Sequence, residues 1–243
     1  AMARKKTKKS AKTGLRPRIG ELVRRGLRLL WRVALWSAVA VVIWVLAYRW
    51  IDPPTTPYIL AEGLRLGEVE RQWVDIDAIA PVMARSVVAA EDANFCLHWG
   101  FDVAAIRDAI EAGSGRGAST ISQQVVKNVF LWQDRSWLRK ALEAGMTPLM
   151  ETLWPKRRII EVYLNMAEFG EGVFGVQAAA QLYFGVDAGD LSAPQAAALA
   201  SILPNPKDRN AAAMTPALQR KARRVQDGAA TIRSDGRAAC FED

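Results

Sequence analysis

Beyond residue 57, the hydrophobic positions of this chain recur mostly at the three-to-four-residue spacing of amphipathic helices. Few stretches alternate apolar and polar side chains as a half-exposed strand would. The pattern therefore predicts a mainly α fold, with a loop over the glycine-rich residues 168–175. The predicted helices cover residues 77–91, from Ser119 or Thr120 through 127, 137–153 with a kink at Pro148, 155–165, 176–184, 192–203 and from 215 onward.

Residues 33–48 form a run without a charged side chain, bracketed by Arg32 and Arg49. With Trp50 and Ile51 added at its end, the run predicts one transmembrane helix over residues 33–51, because both arginines can extend toward lipid head groups. A cleaved signal peptide also has a basic start and an apolar middle, but no small-residue cleavage site follows this run. We therefore expect a retained membrane anchor.

The positive charge of the chain is concentrated ahead of this anchor. The net charge is +8, yet residues 1–32 carry twelve lysines or arginines and one acid, so the other 211 residues sum to −3. A basic tail can bind nucleic acid, but attraction to anionic lipids explains one beside a membrane helix. Since lysine and arginine favour the cytoplasmic side, we expect a basic cytoplasmic tail (1–32), a proline-rich linker (52–57) and an extracytoplasmic domain (58–243).

The two cysteines, Cys96 and Cys240, lie far apart in the sequence. A location outside the cytoplasm permits disulfides, but a single distant pair is not a disulfide framework. Neither cysteine forms a zinc-ligand pattern with the only histidine, His98. The sequence therefore predicts two unpaired cysteines.

The first polar cluster lies in residues 91–102, which hold three acids and the only histidine. Acids on a solvated helix face are usually paired with lysine or arginine one turn away, and this stretch contains neither. Glu91 and Asp92 also fall at the C-terminal end of a predicted helix, where the helix dipole disfavours carboxylates. These acids are therefore predicted to be functional.

The second cluster is a polar helix start preceded by glycine. Glycines there expose backbone N–H groups, which together with hydroxyls and a lysine suit an anion or a sugar. An N-capped helix with a polar outer face is the simpler interpretation. The candidate binding residues are Ser119, Thr120, Gln123, Gln124, Lys127 and Asn128.

Two further clusters follow along the chain. Arg139, Lys140 and Glu143 have spacings that place them on one helical face. Ion pairing at a solvated surface explains such a triplet, whereas a carboxylate beside two cations also suits a site for phosphate or a divalent metal. The last cluster, over residues 156–165, is expected mainly to build core.

In this order, the four clusters resemble the glycosyltransferase domain that polymerises peptidoglycan, found in class A penicillin-binding proteins and monofunctional transglycosylases. The resemblance covers residues 82–206, with Ala118 at a position where glycine is common and Pro148 as an unexpected proline. Because no transpeptidase domain follows, it implies the monofunctional form. The matching motifs are Glu91-Asp-x-x-Phe-x-x-His-x-Gly, Gly117-x-Ser-Thr-Ile-x-Gln-Gln-x-x-Lys-Asn, Arg139-Lys-x-x-Glu and Ile159-x-Glu-x-Tyr-Leu-Asn.

The resemblance implies a lysozyme-like helical fold that acts on lipid II. The 4-hydroxyl of one disaccharide would attack the anomeric carbon of a chain carried on undecaprenyl pyrophosphate. Glu91 would be the general base, held in place by Asp92 and His98, with Phe95 packing the wall of the site. The enzyme would sit in the bacterial inner membrane.

The remaining motif residues would bind the substrate. Lys127, Arg139 and Lys140 would offset the phosphate charge, while Glu143 would orient the phosphates or help hold Mg²⁺ or Mn²⁺. Sugar hydroxyls and N-acetyl groups would bind the polar side chains of the second motif, Ser119, Thr120, Gln123, Gln124 and Asn128. The apolar residues Phe130, Leu131, Trp132 and Trp137 would face either the bilayer or the core.

The expected partners are lipid II, the membrane and, in addition, proteins of cell-wall synthesis or division, with no nucleic acid. Two other functions remain open. One is a lytic or hydrolytic enzyme on the same scaffold, which would also use a lone buried glutamate. The other is an inactive membrane-anchored scaffold for wall-building proteins.

Overall fold

The structure is a computed structural model that describes residues 15–111, 119–134 and 136–242. The first part of the predicted basic tail, residues 1–14, and the Gly117-Ala118 pair of the second motif lie outside the described residues. The described residues divide into two units, with the boundary between residues 44 and 45. The described parts are mainly helical, with three short strands, so the predicted fold class is confirmed.

The first helix, α1 (Leu15–Ala47), contains residues 33–47 of the predicted membrane anchor. It begins inside the predicted tail, because residues 15–32 are mostly leucine, arginine and other good helix formers, and it ends before residue 51. The segment over residues 20–47 is long and apolar enough to cross a membrane, and only 6% of its most apolar 18-residue stretch is buried. An apolar helix near the N-terminus is therefore confirmed, with bounds shifted toward the N-terminus.

Ten further helices belong to the second unit, in the part of it that the structure describes. They are α2 (Pro57–Leu66), α3 (Pro81–Glu91), α4 (Val103–Glu111), α5 (Ile121–Phe130), α6 (Trp137–Leu153), α7 (Lys156–Met166), α8 (Val176–Phe184), α9 (Ala193–Ile202), α10 (Pro216–Ser234) and α11 (Ala239–Glu242). Short 3-10 helices lie at Ile76–Ala78, Phe95–Leu97 and Ala188–Asp190. The strands are β1 (Glu70–Arg71), β2 (Glu168–Gly170) and β3 (Val173–Phe174).

The core forms around two packing groups. Helix α3 packs against both α9 and α10, and α5 packs against both α6 and α7. Residues 196–202 of α9 are buried, as expected for a helix that is apolar on every side. The last cluster is confirmed as largely core, since Ile159, Ile160 and Leu164 are fully buried. These two groups fix the end of α3 and the start of α5, from which the site is built.

Two predictions of local structure were wrong. The helix predicted over 77–91 is interrupted, because Pro81 lacks a backbone N–H and disfavours helical geometry at Ala80, so α3 begins only at Pro81. Residues 168–175, predicted as a loop, contain strands β2 and β3 in an antiparallel pair, and β1 joins β3 in parallel. Gly172, with φ of 73°, permits the tight turn between β2 and β3.

The prediction of unpaired cysteines was also wrong. Cys96 and Cys240 form a disulfide across a sequence separation of 144 residues. Helix α11 packs against the 3-10 helix Phe95–Leu97 and thereby brings the two thiols together. Sequence distance carries no information about this contact, which depends on the tertiary fold.

The predicted linker is held against the domain rather than extended from it. Arg71 donates to the carbonyl oxygens of Pro53 and Pro54 at 2.7 and 2.5 Å. Arg158 donates to those of Tyr48 and Ile51, both at 3.0 Å. The chain that enters the domain is therefore fixed by two guanidinium groups.

Candidate active site

Glu91 is the last residue of α3 and is only partly exposed. Its Oε2 accepts a hydrogen bond of 3.0 Å from Nε2 of Gln124 on α5. Burial raises the pKa of Glu91, while the Gln124 bond and the nearby charges of Lys221, Lys127 and Arg209 act in the opposite direction. A carboxylate of this kind can accept a proton near neutral pH.

Asp92 and His98 lie behind Glu91 and stabilise the start of α5. Asp92 Oδ1 and His98 Nε2 are 2.8 Å apart, and Asp92 Oδ2 accepts from the backbone N–H of Ile121 at 3.0 Å. Neither side chain is hydrogen-bonded to the Glu91 carboxylate; Asp92 instead contacts the start of α5, the helix that carries the hydrogen-bond partner of Glu91. Phe95 is completely buried and stacks edge-on to the His98 ring, with centroids 6.4 Å apart.

The second motif divides into capping residues and cleft residues. Thr120 and Gln123 are buried and form the capping box of α5, each side chain bonded to the other's backbone N–H. Thr120 also donates to the carbonyl oxygen of Gly100 at 2.6 Å. Ser119 is exposed at the mouth of a cavity of about 280 Å³ that Glu91 also lines. The structure therefore uses both cap residues to hold the helix start.

The exposed face of α5 lines a second cavity, of about 240 Å³, with Gln124, Lys127 and Asn128. Because Gln124 lines this cavity and is hydrogen-bonded to Glu91, the Glu91–Gln124 pair lies between the two cavities. Lys127 has no hydrogen bond or ion pair with any residue that the structure describes. Burial lowers the pKa of Lys127, and it lies near enough to Glu91 and Glu143 to interact with both charges.

Glu143 has the two ion pairs that its spacing predicts. Arg139 contacts its Oε2 at 2.6 Å, and Lys140 contacts its Oε1. The Glu143 side chain is only 3% exposed, so the triplet is not the solvated surface network of the simpler interpretation. Arg139 and Lys140 both interact electrostatically with Lys127. Lys127 thus lies within electrostatic range of both glutamates, while Arg139 and Lys140 line a separate cavity with Ser136 and Trp137.

The sequence interpretation missed two cations of this cleft. Lys221 on α10 and Arg209 ahead of it both act on the charge of Glu91 and both donate to the carbonyl oxygen of Ser201, at 3.2 Å each. Burial lowers the pKa of Lys221. The sequence signal for Lys221 is the run of basic residues 220–224, which was assigned only to a terminal helix.

The predicted metal site has no ready set of ligands. Both Glu143 oxygens already face cations, and no group of three His, Cys, Asp or Glu residues within 15–111, 119–134 and 136–242 could hold an ion. A requirement for Mg²⁺ or Mn²⁺ therefore stays a prediction, and the described side chains do not fit a resident ion.

The apolar residues after α5 divide between core and surface. Phe130 and Leu131 are each 5% exposed, whereas Trp132 is 37% and Trp137 is 91% exposed. Leu138 and Trp99 are likewise exposed, at 65% and 74%. The core interpretation therefore holds for the first two residues, while the tryptophans remain available to a bilayer.

Comparison with known proteins gives consistent matches over most of the chain. A family model described as Transglycosylase matches residues 60–230. A protein of Jannaschia sp. (strain CCS1), described as "Biosynthetic peptidoglycan transglycosylase", is 56% identical over 237 residues, or 98% of either chain. Proteins with the same description are 47% identical in Rhodospirillum centenum, over 91% of this chain and 98% of theirs, and 43% identical in Caulobacter vibrioides, over 91% and 99%.

Proposed function

The chain belongs to the transglycosylase family, and we propose on this premise that it polymerises peptidoglycan strands from lipid II, with Glu91 as general base. The observation that carries the proposal is a partly buried carboxylate, hydrogen-bonded to Gln124 between two cavities, with Lys127 lining one of these cavities. One group can accept a proton and the other can stabilise an anionic leaving group. Glycosyl transfer from a pyrophosphate donor requires both.

In the proposed reaction, Glu91 accepts the proton of the acceptor's 4-hydroxyl as that oxygen bonds to the anomeric carbon of the donor chain. The bond between this carbon and the pyrophosphate oxygen breaks, and undecaprenyl pyrophosphate leaves with its electron pair. Because pyrophosphate is a good leaving group, it does not need a second acid to protonate it. Burial keeps the Glu91 pKa high enough for it to act as a base.

The leaving group would be bound by Lys127, Arg139 and Lys140. Lys127 lines the cavity of about 240 Å³ and lacks a partner among the described residues, so its charge is free to meet a phosphate. Glu143 holds Arg139 and Lys140 in position through its two ion pairs. The donor would therefore occupy the cavity lined by Lys127, and the acceptor would occupy the cavity beside Glu91.

Sugar groups would contact the polar side chains left free of the α5 cap. Ser119 is exposed beside Glu91, while Gln124 and Asn128 line the donor cavity. Thr120 and Gln123 would shape this surface through the capping box. Glu143 would hold Arg139 and Lys140 in place, since both of its carboxylate oxygens already face these cations.

A membrane-anchored enzyme suits a lipid-linked substrate, because both would lie at the same membrane. Helix α1 is long and apolar enough to anchor the chain, and the exposed Trp132 and Trp137 would contact lipid. The basic residues before α1 favour a cytoplasmic N-terminus and an extracytoplasmic domain in the inner membrane. Single-domain organisation without transpeptidase activity, and contacts with cell-wall or division proteins, stay predictions.

The test is to incubate the detergent-solubilised chain with labelled lipid II and to size the products on a gel beside Glu91→Gln. We expect long, lysozyme-sensitive strands from the parent alone. Glu91→Asp is a useful companion, since it keeps the charge but withdraws the carboxylate by one methylene group. Omitting and restoring Mg²⁺ in the same assay tests the predicted metal requirement.

Two outcomes would replace the proposal. If lipid II stays intact while preformed glycan is shortened, the chain is hydrolytic. If neither changes while a control polymerase works, the chain is an inactive scaffold. Equal strand synthesis by Glu91→Gln would leave the polymerase function but remove Glu91 as its base.

A further inference from the structure

A separate cavity lies at the end of α3 opposite Glu91. Its volume is about 370 Å³, larger than either cavity beside Glu91, and its walls come from α3, α7, α10, α11 and the 3-10 helix Ile76–Ala78. Since a helix rises about 1.5 Å per residue, Pro81 at this cavity lies roughly 15 Å from Glu91 along the helix axis. None of the residues assigned to the proposed reaction lines it.

The cavity combines an apolar floor with a charged rim. Ile79, Ala84 and Phe241 line it and are each at most 3% exposed. Five of the eleven lining residues are charged and six are apolar, so a ligand of this cavity would need both an apolar and a charged group. The cavity as a whole, at about 370 Å³, is large enough for one large apolar side chain.

The rim carries more positive than negative charge. Arg85 contacts Glu242 at 3.0 Å, and Arg157 contacts Asp77 at 2.5 Å. The third guanidinium, Arg233 at the end of α10, is exposed and has no hydrogen bond or ion pair with any residue in the described ranges. Three cations thus face two carboxylates, which leaves one cation to bind an anion.

The wall formed by α11 is held in place covalently. Cys240 of α11 is bonded to Cys96, and the next two residues, Phe241 and Glu242, line the cavity. Arg157 also donates to the carbonyl oxygen of Phe241 at 3.3 Å. A preformed cavity lowers the entropic cost of binding, because its side chains are already ordered.

We propose that this cavity is a docking site for an acidic segment of a partner protein. An apolar side chain of the segment would rest on Ile79 and Phe241, and a neighbouring carboxylate would bind Arg233. Clusters of arginine are a recurring means of recognising acidic motifs, and arginine is enriched in protein interfaces. The site is separate from the glycan-polymerising cleft.

The test uses the detergent-solubilised full chain and a dye-labelled peptide, acetyl-Ala-Asp-Phe-Asp-Ala-amide, with binding followed by fluorescence anisotropy. One control peptide has Asn for both Asp residues, and another has Ala for Phe. The test variant is Arg233→Glu, which is safe for folding because the side chain is exposed. The matched control is Arg223→Glu, an exposed arginine of the same helix that does not line the cavity.

We expect saturable binding of the acidic peptide that Arg233→Glu weakens about tenfold or more and Arg223→Glu does not. Both control peptides should bind more weakly than the parent peptide. The proposal is overturned if no saturable binding occurs at millimolar peptide, if Arg233→Glu binds as well as the parent, or if either control peptide binds equally. Displacement of the peptide by equimolar inorganic phosphate would instead show a small-anion site.

Polymerisation of lipid II serves as an independent readout. Arg233→Glu should keep the parent's activity, because Arg233 lies outside the cleft. Peptide binding can therefore fail while the proposed function stands, and the reverse also holds.

Discussion

Lys127 and Lys156 are two partly buried lysines of one domain, and burial lowers the pKa of both. Lys156 donates to the carbonyl oxygen of His98 and to Glu151, each at 2.8 Å, and its Nζ lies 4.4 Å from the centroid of the Phe95 ring. Lys127 has no such contact with the described residues and faces a cavity. The same side chain thus stabilises the fold in one place and is left free in the other.

Helix α5 contacts two different regions: the cleft, which Lys127 lines, and the buried pair of Glu151 and Lys156. Ser122 of α5 is hydrogen-bonded to Glu151, which with Lys156 forms a paired region behind the site. Gln124, two residues later, is hydrogen-bonded to Glu91 in the cleft. Unpaired buried charges destabilise a protein, whereas well-paired ones are tolerated. The partly buried charges of Glu91 and Lys127 therefore lower the stability of the fold. Such a loss is expected at a site where stability is exchanged for activity.

The largest effect should come from breaking the paired region. Lys156→Met is expected to lower the free energy of unfolding by about 3–5 kcal/mol, because it leaves Glu151 buried without its cation. Denaturant unfolding of the solubilised chain measures the loss. A loss below about 1 kcal/mol would mean that Glu151 has no need of its cation.

Lys127→Met should have the opposite profile. We expect strand synthesis to fall about 10²–10³-fold, since removing one donor to a developing anion commonly costs about 2.7–4 kcal/mol of the activation free energy. Stability should be unchanged or increased, because a desolvated cation is removed. Lys127→Arg, which keeps the charge, should retain more activity. A loss of stability as large as that of Lys156→Met would contradict the comparison.

The Cys96–Cys240 disulfide stabilises the segment that follows Glu91, so this segment, like Lys156, contributes to the fold. Cys240→Ser should reduce the free energy of unfolding by about 2–4 kcal/mol, because the Cys96–Cys240 bond restricts the unfolded chain. Chemical denaturation of Cys240→Ser, Cys96→Ser and the double variant measures this. All three should lose the same amount, and a double variant that loses the sum of the two would show that the cysteines act separately.

The smallest effect is expected at the start of α5. Thr120→Ala should lower the free energy of unfolding by about 1 kcal/mol through loss of the N-cap, and Thr120→Ser should restore it. Thermal unfolding and the KM for lipid II are measured together. A raised KM with unchanged stability would instead make Thr120 a substrate-binding residue, as its motif position predicts.

Helices that are strongly periodic and bounded by capping residues could be predicted from the sequence. Trp137–Leu153 and Val176–Phe184 were predicted at their observed bounds, and the capping box at Ser192 is present. The error at Pro81 came from weighting apolar spacing over the missing N–H of proline. The disulfide and the β2–β3 pair depend on tertiary contacts that leave no local pattern.

The candidate site could be located from the sequence where its residues lie in short motifs. Motif spacing brought Glu91, Gln124 and Lys127 to attention, and the structure places them around one pair of cavities. Motif spacing could not distinguish Thr120, which caps the helix, from Gln124, which is hydrogen-bonded to Glu91, because both are polar residues of one segment. Lys221 reaches the cleft only because α10 packs on α3.

The most direct test of the account is the stability of Glu91→Gln against the parent as a function of pH. Because burial raises the folded pKa of Glu91 above 4.5, its stabilising contribution is complete below pH 4.5 and is lost as pH rises through the folded value. Glutamine resembles the protonated carboxyl and keeps its neutral form at every pH.

We therefore predict that Glu91→Gln melts at a higher temperature than the parent at pH 8, and that the difference disappears as the pH falls toward 4.5. The same variant should be inactive on lipid II. A Glu91→Gln protein that is less stable than the parent at pH 8, or a difference that does not change with pH, would contradict the claim that this cleft holds its charge for catalysis and at the expense of the fold.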